Sequence, residues 1–156
     1  MTEAVRIRVE TSFAGIPAEE WGRLAGASRA DAQTPYNPFV SHAFLSSLEE
    51  SGCAVAETGW LGQHLLLEDE SGSLLGALPA YLKNHSQGEY VFDHGWADAF
   101  ERAGGRYYPK LQASIPFTPA TGPRLLHRID RPALTIQAGL AEGFKELCRR
   151  HGASAR

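Results

Sequence analysis

The stretch from Gly104 to Leu126, GGRYYPKLQASIPFTPATGPRLL, constrains the fold of this 156-residue chain more than any other. Proline fixes φ and donates no backbone hydrogen bond, so Pro109, Pro116, Pro119 and Pro123 exclude one long helix or a regular central strand. What remains is a short strand set between stiff loops. Three aromatic and three cationic side chains share the segment, and irregular backbone of this kind is where binding residues concentrate.

The flanking sequence supplies mixed α and β elements. Val5, Ile7 and Val9 alternate with Arg6, Arg8 and Glu10, which predicts a strand with one buried and one wet face. Pro17 suits a helix start and Gly26 its left-handed end, with Ala18, Trp21 and Ala25 on one face. Residues 28–38 read as a loop. Ser41 is a good N-cap, with Val40 and Leu45 at staple spacing, for a helix that runs to Gly52. His64 to Glu68, the turn Asp69-Glu70-Ser71-Gly72 and Leu74 to Lys83 read as a hairpin, with Pro79 marking a bulge or an unpaired edge. Tyr90-Val91-Phe92 reads as a third short strand and Ala97 to Ala103 as a short helix. A last helix starts near Pro132, carries Ile136, Leu140, Phe144 and Leu147 or Cys148 on one face, and stops at Gly152. Ala153 to Arg156 is too short to form a further strand and cross a sheet, so the sheet is expected to keep an open edge and the chain to be a fragment or a shortened protein.

Composition narrows the classes. At 43% hydrophobic and 21% charged residues the chain suits one folded domain. Fifteen basic against eighteen acidic residues give a net charge of -3, so nothing global implies a polyanion-binding surface, and only a local basic groove stays open. The N-terminus MTEAVRIRVE lacks the apolar core of a signal peptide and no apolar run approaches membrane-spanning length, so the reading is cytoplasmic. Cys53 and Cys148, without CxxC spacing, read as two buried free thiols of a reducing compartment. The six histidines form neither HxH nor HExxH, so no metal site is expected.

NPFVSHAFLSSLEESG at 37–52, LLLEDESGSLLGALPAYLK, FDHGWADAFERAGGRYYPKLQ and IPFTPATGPRLL occur in this order, and together they resemble the N-terminal part of the FemAB-like family, described as peptidoglycan biosynthesis/recognition, of the GNAT acyltransferase superfamily. The resemblance implies a GNAT-like α/β (α+β) fold, a mixed and largely antiparallel sheet flanked by helices, forming a single incomplete N-terminal lobe over 1–156. It implies N-acyl transfer to an amine in full-length relatives, with acyl-CoA or aminoacyl-tRNA as donor. This chain is then expected to hold the acceptor-side half, to carry no cofactor of its own and to be inactive in isolation. The GNAT donor turn, Gln/Arg-x-x-Gly-x-Gly/Ala, is absent; Arg102-Ala103-Gly104-Gly105-Arg106 shares its composition without its spacing and reads as a helix terminator.

The candidate site residues suit an acceptor wall over 90–126. Asp93 and His94 follow the expected strand, where either can serve as general base; Asp93 equally suits a turn cap, and His94 packing beside Trp96. Tyr107 and Tyr108 can line a pocket, although adjacent residues of a strand point to opposite faces. Lys110 and Arg124 can hold a carboxylate or phosphate, or be solvated surface charge. Gln112 and Thr118 offer polar contacts or satisfy loop backbone. The expected partner is a small-molecule or cell-wall-precursor acceptor, with nucleic acid only as a tRNA donor. The alternative is a non-catalytic module that recognises a cell-wall or amino-acid-like ligand.

Overall fold

The computed structural model describes residues 4–26 and 36–155; the expected 28–38 loop therefore lies largely outside the described residues. The described residues form two four-stranded sheets and four α-helices, an α+β mixed fold with no closed barrel among them. In the first sheet β1 (Arg6–Glu10), β3 (His64–Glu68), β4 (Leu74–Leu78) and β7 (Leu126–His127) pair antiparallel in that order. The second sheet has the order β2 (Leu61–Gly62), β5 (Tyr81–Lys83), β6 (Lys110–Gln112) and β8 (Ser154–Ala155), antiparallel except for the parallel β6–β8 pair.

β3 and β4 are buried on both faces, which is why they read as continuous apolar runs. Leu66 and Ala77 meet α1 (Ala18–Ala25) through Trp21 and Leu24, and Leu45 of α2 (His42–Glu50) joins the same core. Leu65, Leu67 and Leu78 point the other way, onto Ile136, Leu140 and Leu147 of α4 (Ala133–His151). The helix ends follow the expected chemistry. Ser41 accepts from Phe44 N–H, and Gly26 and Gly152 take left-handed φ values of 71° and 58°.

Six expectations change. The bulge falls at Leu75, the extra residue between Leu74 and Gly76 opposite Leu67 and Glu68, whereas Pro79 lies at the corner where the chain passes from the first sheet to the second. β1 is an edge strand whose Ile7 and Val9 are each more than a third exposed, because α4 covers that face only in part, with Gly143 beneath Ile7. Tyr90-Val91-Phe92 forms no strand, and the helix after it begins earlier, as α3 (His94–Arg102). The C-terminal residues do enter a sheet: Gly152 reverses the chain, Ser154 N–H donates to Pro109 O at 3.0 Å, and β8 extends β6. Cys148 is buried, but Cys53 is exposed.

Candidate acceptor wall

The cross-strand register creates the site. β5 and β6 pair Lys83 directly with Lys110, and both ammonium groups are buried, with Lys110 0% exposed. Two like charges opposite each other in a sheet repel, and burial multiplies the penalty. The connection between them answers with two carboxylates. Lys110 Nζ donates to Glu89 Oε2 at 2.8 Å, to Asp93 Oδ2 at 2.9 Å and to Ser86 Oγ at 2.7 Å. Lys83 Nζ stands 3.7 Å from Glu89 Oε1, donates to Gln87 O at 3.2 Å, and sits 3.3 Å from the centroid of the Trp60 ring, a cation–π contact.

Tyrosines and a glutamine close the network. Tyr107 OH donates to Asp93 Oδ2 at 2.7 Å, and Tyr108 OH shares a 2.6 Å hydrogen bond with Ser86 Oγ. The two rings do not diverge as strand neighbours would. Strand pairing starts only at Lys110, so the rings pack edge to face at 5.0 Å with Lys110 Nζ 5.7 and 5.6 Å from their centroids. With its amide carbonyl turned to accept from Ser114 Oγ at 2.8 Å, Gln112 donates to both Glu89 oxygens at 3.0 and 3.1 Å.

The charges carry signatures of this arrangement. Burial alone would raise the Asp93 carboxyl, but hydrogen bonds from Ser86, Lys110 and Tyr107 and the Lys110 charge outweigh it and hold Asp93 well below the carboxylate range. Burial lowers Lys83 to about 8; Glu89 opposes that shift, and Lys110 adds to it.

Because Glu89 and Asp93 are both drawn inward, the three residues between them arch outward. Tyr90 is held at φ 55°, a region that costs a non-glycine residue on the order of 1–3 kcal/mol. Phe92 is 91% exposed, Trp96 72% and Tyr90 64%. Trp96 and Phe100 are four residues apart in α3 and so share one side of it. Phe117, also at positive φ, donates its N–H to Gly88 O at 3.0 Å and lies 5.5 Å from Trp60, which leaves a hollow of about 340 Å³ lined by Trp60, His85, Gly88 and Phe117. Exposed aromatic side chains grouped on a rigid base mark interaction surfaces.

The structure thus brings Asp93, Tyr107, Tyr108, Lys110 and Gln112 into one buried network and sets His94 and Trp96 on its outer side. Lys110 is no solvated surface charge. Asp93 stands at the N-cap position of α3 without a capping hydrogen bond, since its carboxylate turns to Lys110 and Tyr107. Thr118 donates to Pro116 O at 3.0 Å, and Arg124 donates to Ala120, Gly122 and Pro123 carbonyls of its own loop. Sequence reasoning missed Lys83, Ser86 and Glu89. The usable signal was a lysine at each end of two short strands, with two carboxylates in the connection between them. Among the described residues no group of three His, Cys, Asp or Glu side chains is placed to hold a metal ion, and no helix is long and apolar enough to cross a membrane.

Fold and site together define an α+β domain that presents a pinned aromatic wall on a buried ionic base. The chain belongs to the FemAB-like family, whose model, described as peptidoglycan biosynthesis/recognition, matches residues 12–156. That membership suggests a role in peptidoglycan biosynthesis or recognition and fits a cell-wall-precursor partner. No curated protein and no solved structure matches the chain.

Proposed function

We propose that the chain binds a cell-wall precursor bearing a free amine and takes part in N-acyl transfer to that amine, with residues 84–126 as the acceptor wall. One observation supports this reading above the others: the Lys83, Lys110, Glu89 and Asp93 network fixes the arch and α3 so that Tyr90, Phe92 and Trp96 stand exposed at no further ordering cost. The transfer forms a C–N bond to the acceptor and breaks the thioester of an acyl-CoA or the ester of an aminoacyl-tRNA. The amine proton passes to a base, and the leaving thiol or hydroxyl takes up a proton. His94, exposed in the first turn of α3 beside Trp96, is the group assigned to the proton; Asp93, enclosed and ion-paired, positions the wall. Such donors are cytoplasmic, and the chain is assigned there.

Recognition without transfer is the second reading, and the internal pairing of Lys110, Glu89 and Asp93 favours it. The two separate in one experiment, in which the chain is mixed with a muramoyl pentapeptide and either labelled acyl-CoA or labelled aminoacyl-tRNA. Labelled peptide that is lost in His94→Ala supports transfer. Saturable binding without label, weakened by Trp96→Ala, supports recognition alone. Neither label nor binding refutes both.

A further inference from the structure

β1 is the outermost strand of the first sheet. β3 pairs with one side of it along all five residues, and among the described residues no backbone-to-backbone hydrogen bond reaches the other side. Such an edge leaves a row of N–H and C=O groups ready to pair with another strand. Its apolar side is under-covered as well. Val5 is 56% exposed, Ile7 37% and Val9 38%, and a hollow of about 320 Å³ separates Ile7 and Val9 from Gly143, Glu146 and Leu147 of α4.

The residues of the strand, Arg6-Ile7-Arg8-Val9-Glu10, identify what fits it. An edge charged with one sign repels a copy of itself. This edge carries both signs, in an order that its own reverse complements. In an antiparallel pair of two copies centred on Arg8, Arg6 stands opposite Glu10 of the second copy and Ile7 opposite Val9, each pairing occurring twice by symmetry.

The observed β1–β3 register carries this pattern across the joined sheet. Because Arg6 pairs with Glu68, Glu10 with His64, Ile7 with Leu67 and Val9 with Leu65, one face gains the row Glu68, Arg6, Glu10, His64 and the other the row Leu67, Ile7, Val9, Leu65. Arg6 has donors to spare. Its Nη2 donates to Glu68 Oε2 at 2.6 Å while its side chain stays 69% exposed, and a guanidinium has five N–H groups. Only Arg8 meets its own copy, and its charge is answered within its own chain by Glu68 Oε1 at 2.8 Å and by Glu10. The other registers that keep the faces matched fit less well. A shift of two residues one way sets Arg6 opposite Arg8 twice. A shift the other way pairs only residues 8–10 and runs into Ser12, the cap of the 3₁₀ turn Phe13–Gly15.

We propose that the chain associates with a second copy of itself through β1, antiparallel and centred on Arg8, so that two four-stranded sheets become one of eight strands. The proposal needs neither acyl transfer nor the wall at 84–126, so the two stand or fall separately.

The test is sedimentation equilibrium of the full chain over a wide range of protein concentration, with urea midpoints to check that each variant is folded. The expected result is a monomer–dimer equilibrium. Arg6→Glu sets two carboxylates opposite each other at both symmetric positions, and Glu10→Arg sets two guanidinium groups there, so each alone should weaken association at least about tenfold. An equimolar mixture of these two variants regains both opposite-charge pairs in a mixed dimer, and should associate at least about tenfold more tightly than either alone. Val9→Lys leaves all the arginines and glutamates in place and should also weaken the dimer, since it removes the apolar partner of Ile7. A chain that stays monomeric at every concentration, a dimer unchanged in Val9→Lys, or a variant mixture no tighter than its components would overturn the proposal.

Discussion

Replacing Lys110 by methionine is the sharpest structural perturbation available, since it nearly keeps the volume of the side chain and removes its charge and its three hydrogen bonds. The ammonium is wholly buried and donates to Glu89, Asp93 and Ser86 at 2.8, 2.9 and 2.7 Å. Glu89 retains Lys83 at 3.7 Å, so the anion that loses its charge partner is Asp93, left with the Tyr107 and Ser86 hydroxyls. Removing one partner of a buried ion pair costs about 3–5 kcal/mol, out of a total near ~5–15 kcal/mol. With a urea dependence of about 2 kcal/mol/M, the unfolding midpoint should fall by roughly 1.5–2.5 M with an unchanged slope. Adding Asp93→Asn to Lys110→Met should recover at least ~1 kcal/mol, the coupling expected of a contacting pair. The pH dependence has a definite sign. In the native protein the folded pKa of Asp93 lies below its ordinary 3.8, so its stabilisation is present above that value and is lost as pH falls through the folded pKa. Without Lys110 burial acts on Asp93 with less opposition and raises its carboxyl relative to wild type, so the gap between wild type and variant should narrow as pH falls from neutrality into the acid range. A loss under ~0.5 kcal/mol, or single effects that simply add, would refute the network as the support of the wall.

Further outcomes follow from other positions. Burial holds Lys83 at about 8 against 10.5 for a free lysine, so between these values the unfolded chain binds more protons and stability gains with rising pH; unfolding midpoints should show that gain in wild type relative to Lys83→Met, and equal pH profiles would contradict it. A Cβ on Gly76 would overlap Ile136 and lie 3.0 Å from Leu126 O, so Gly76→Ala should cost about 1–3 kcal/mol in the same assay, whereas a neutral result would mean that α4 moves freely over β4. Cys53 is exposed while Cys148 is buried, its thiol pushed up by burial. A thiol reagent should therefore modify one cysteine rapidly in the native state and the second only on unfolding, and Cys53→Ser should remove the rapid phase.

Elements with local signals were legible in the sequence. Ser41 and Gly152 mark helix ends through their own backbone chemistry, and the β3–β4 hairpin is written in an Asp-Glu-Ser-Gly turn between apolar runs. The prolines after Gly104 announced the short β6 between loops. What was not legible depends on pairing at a distance. Tyr90-Val91-Phe92 has strand composition, yet Glu89 and Asp93 are drawn to Lys110, and the residues between them have no sheet edge to join. Lys110 looks like a surface residue until β5 sets Lys83 opposite it. Ser154 and Ala155 have no strand signal of their own and pair only because α4 delivers them to the free edge of β6. Of the candidate residues, Asp93, Tyr107, Tyr108, Lys110 and Gln112 do converge, but as the base of the wall; the exposed face had its signal in the Trp96 and Phe100 spacing.

The central claim is that this FemAB-like chain recognises a cell-wall precursor on the aromatic wall above the lysine pair. Titration of the chain with a muramoyl pentapeptide, read by the indole resonance of Trp96 and the amides of Tyr90 to Phe92, tests it most directly. The account predicts saturable shifts at these positions, at least tenfold weaker affinity in Trp96→Ala, and an unchanged unfolding midpoint in that variant, because Trp96 is 72% exposed. No shift at the wall, or equal affinity in Trp96→Ala, would contradict it.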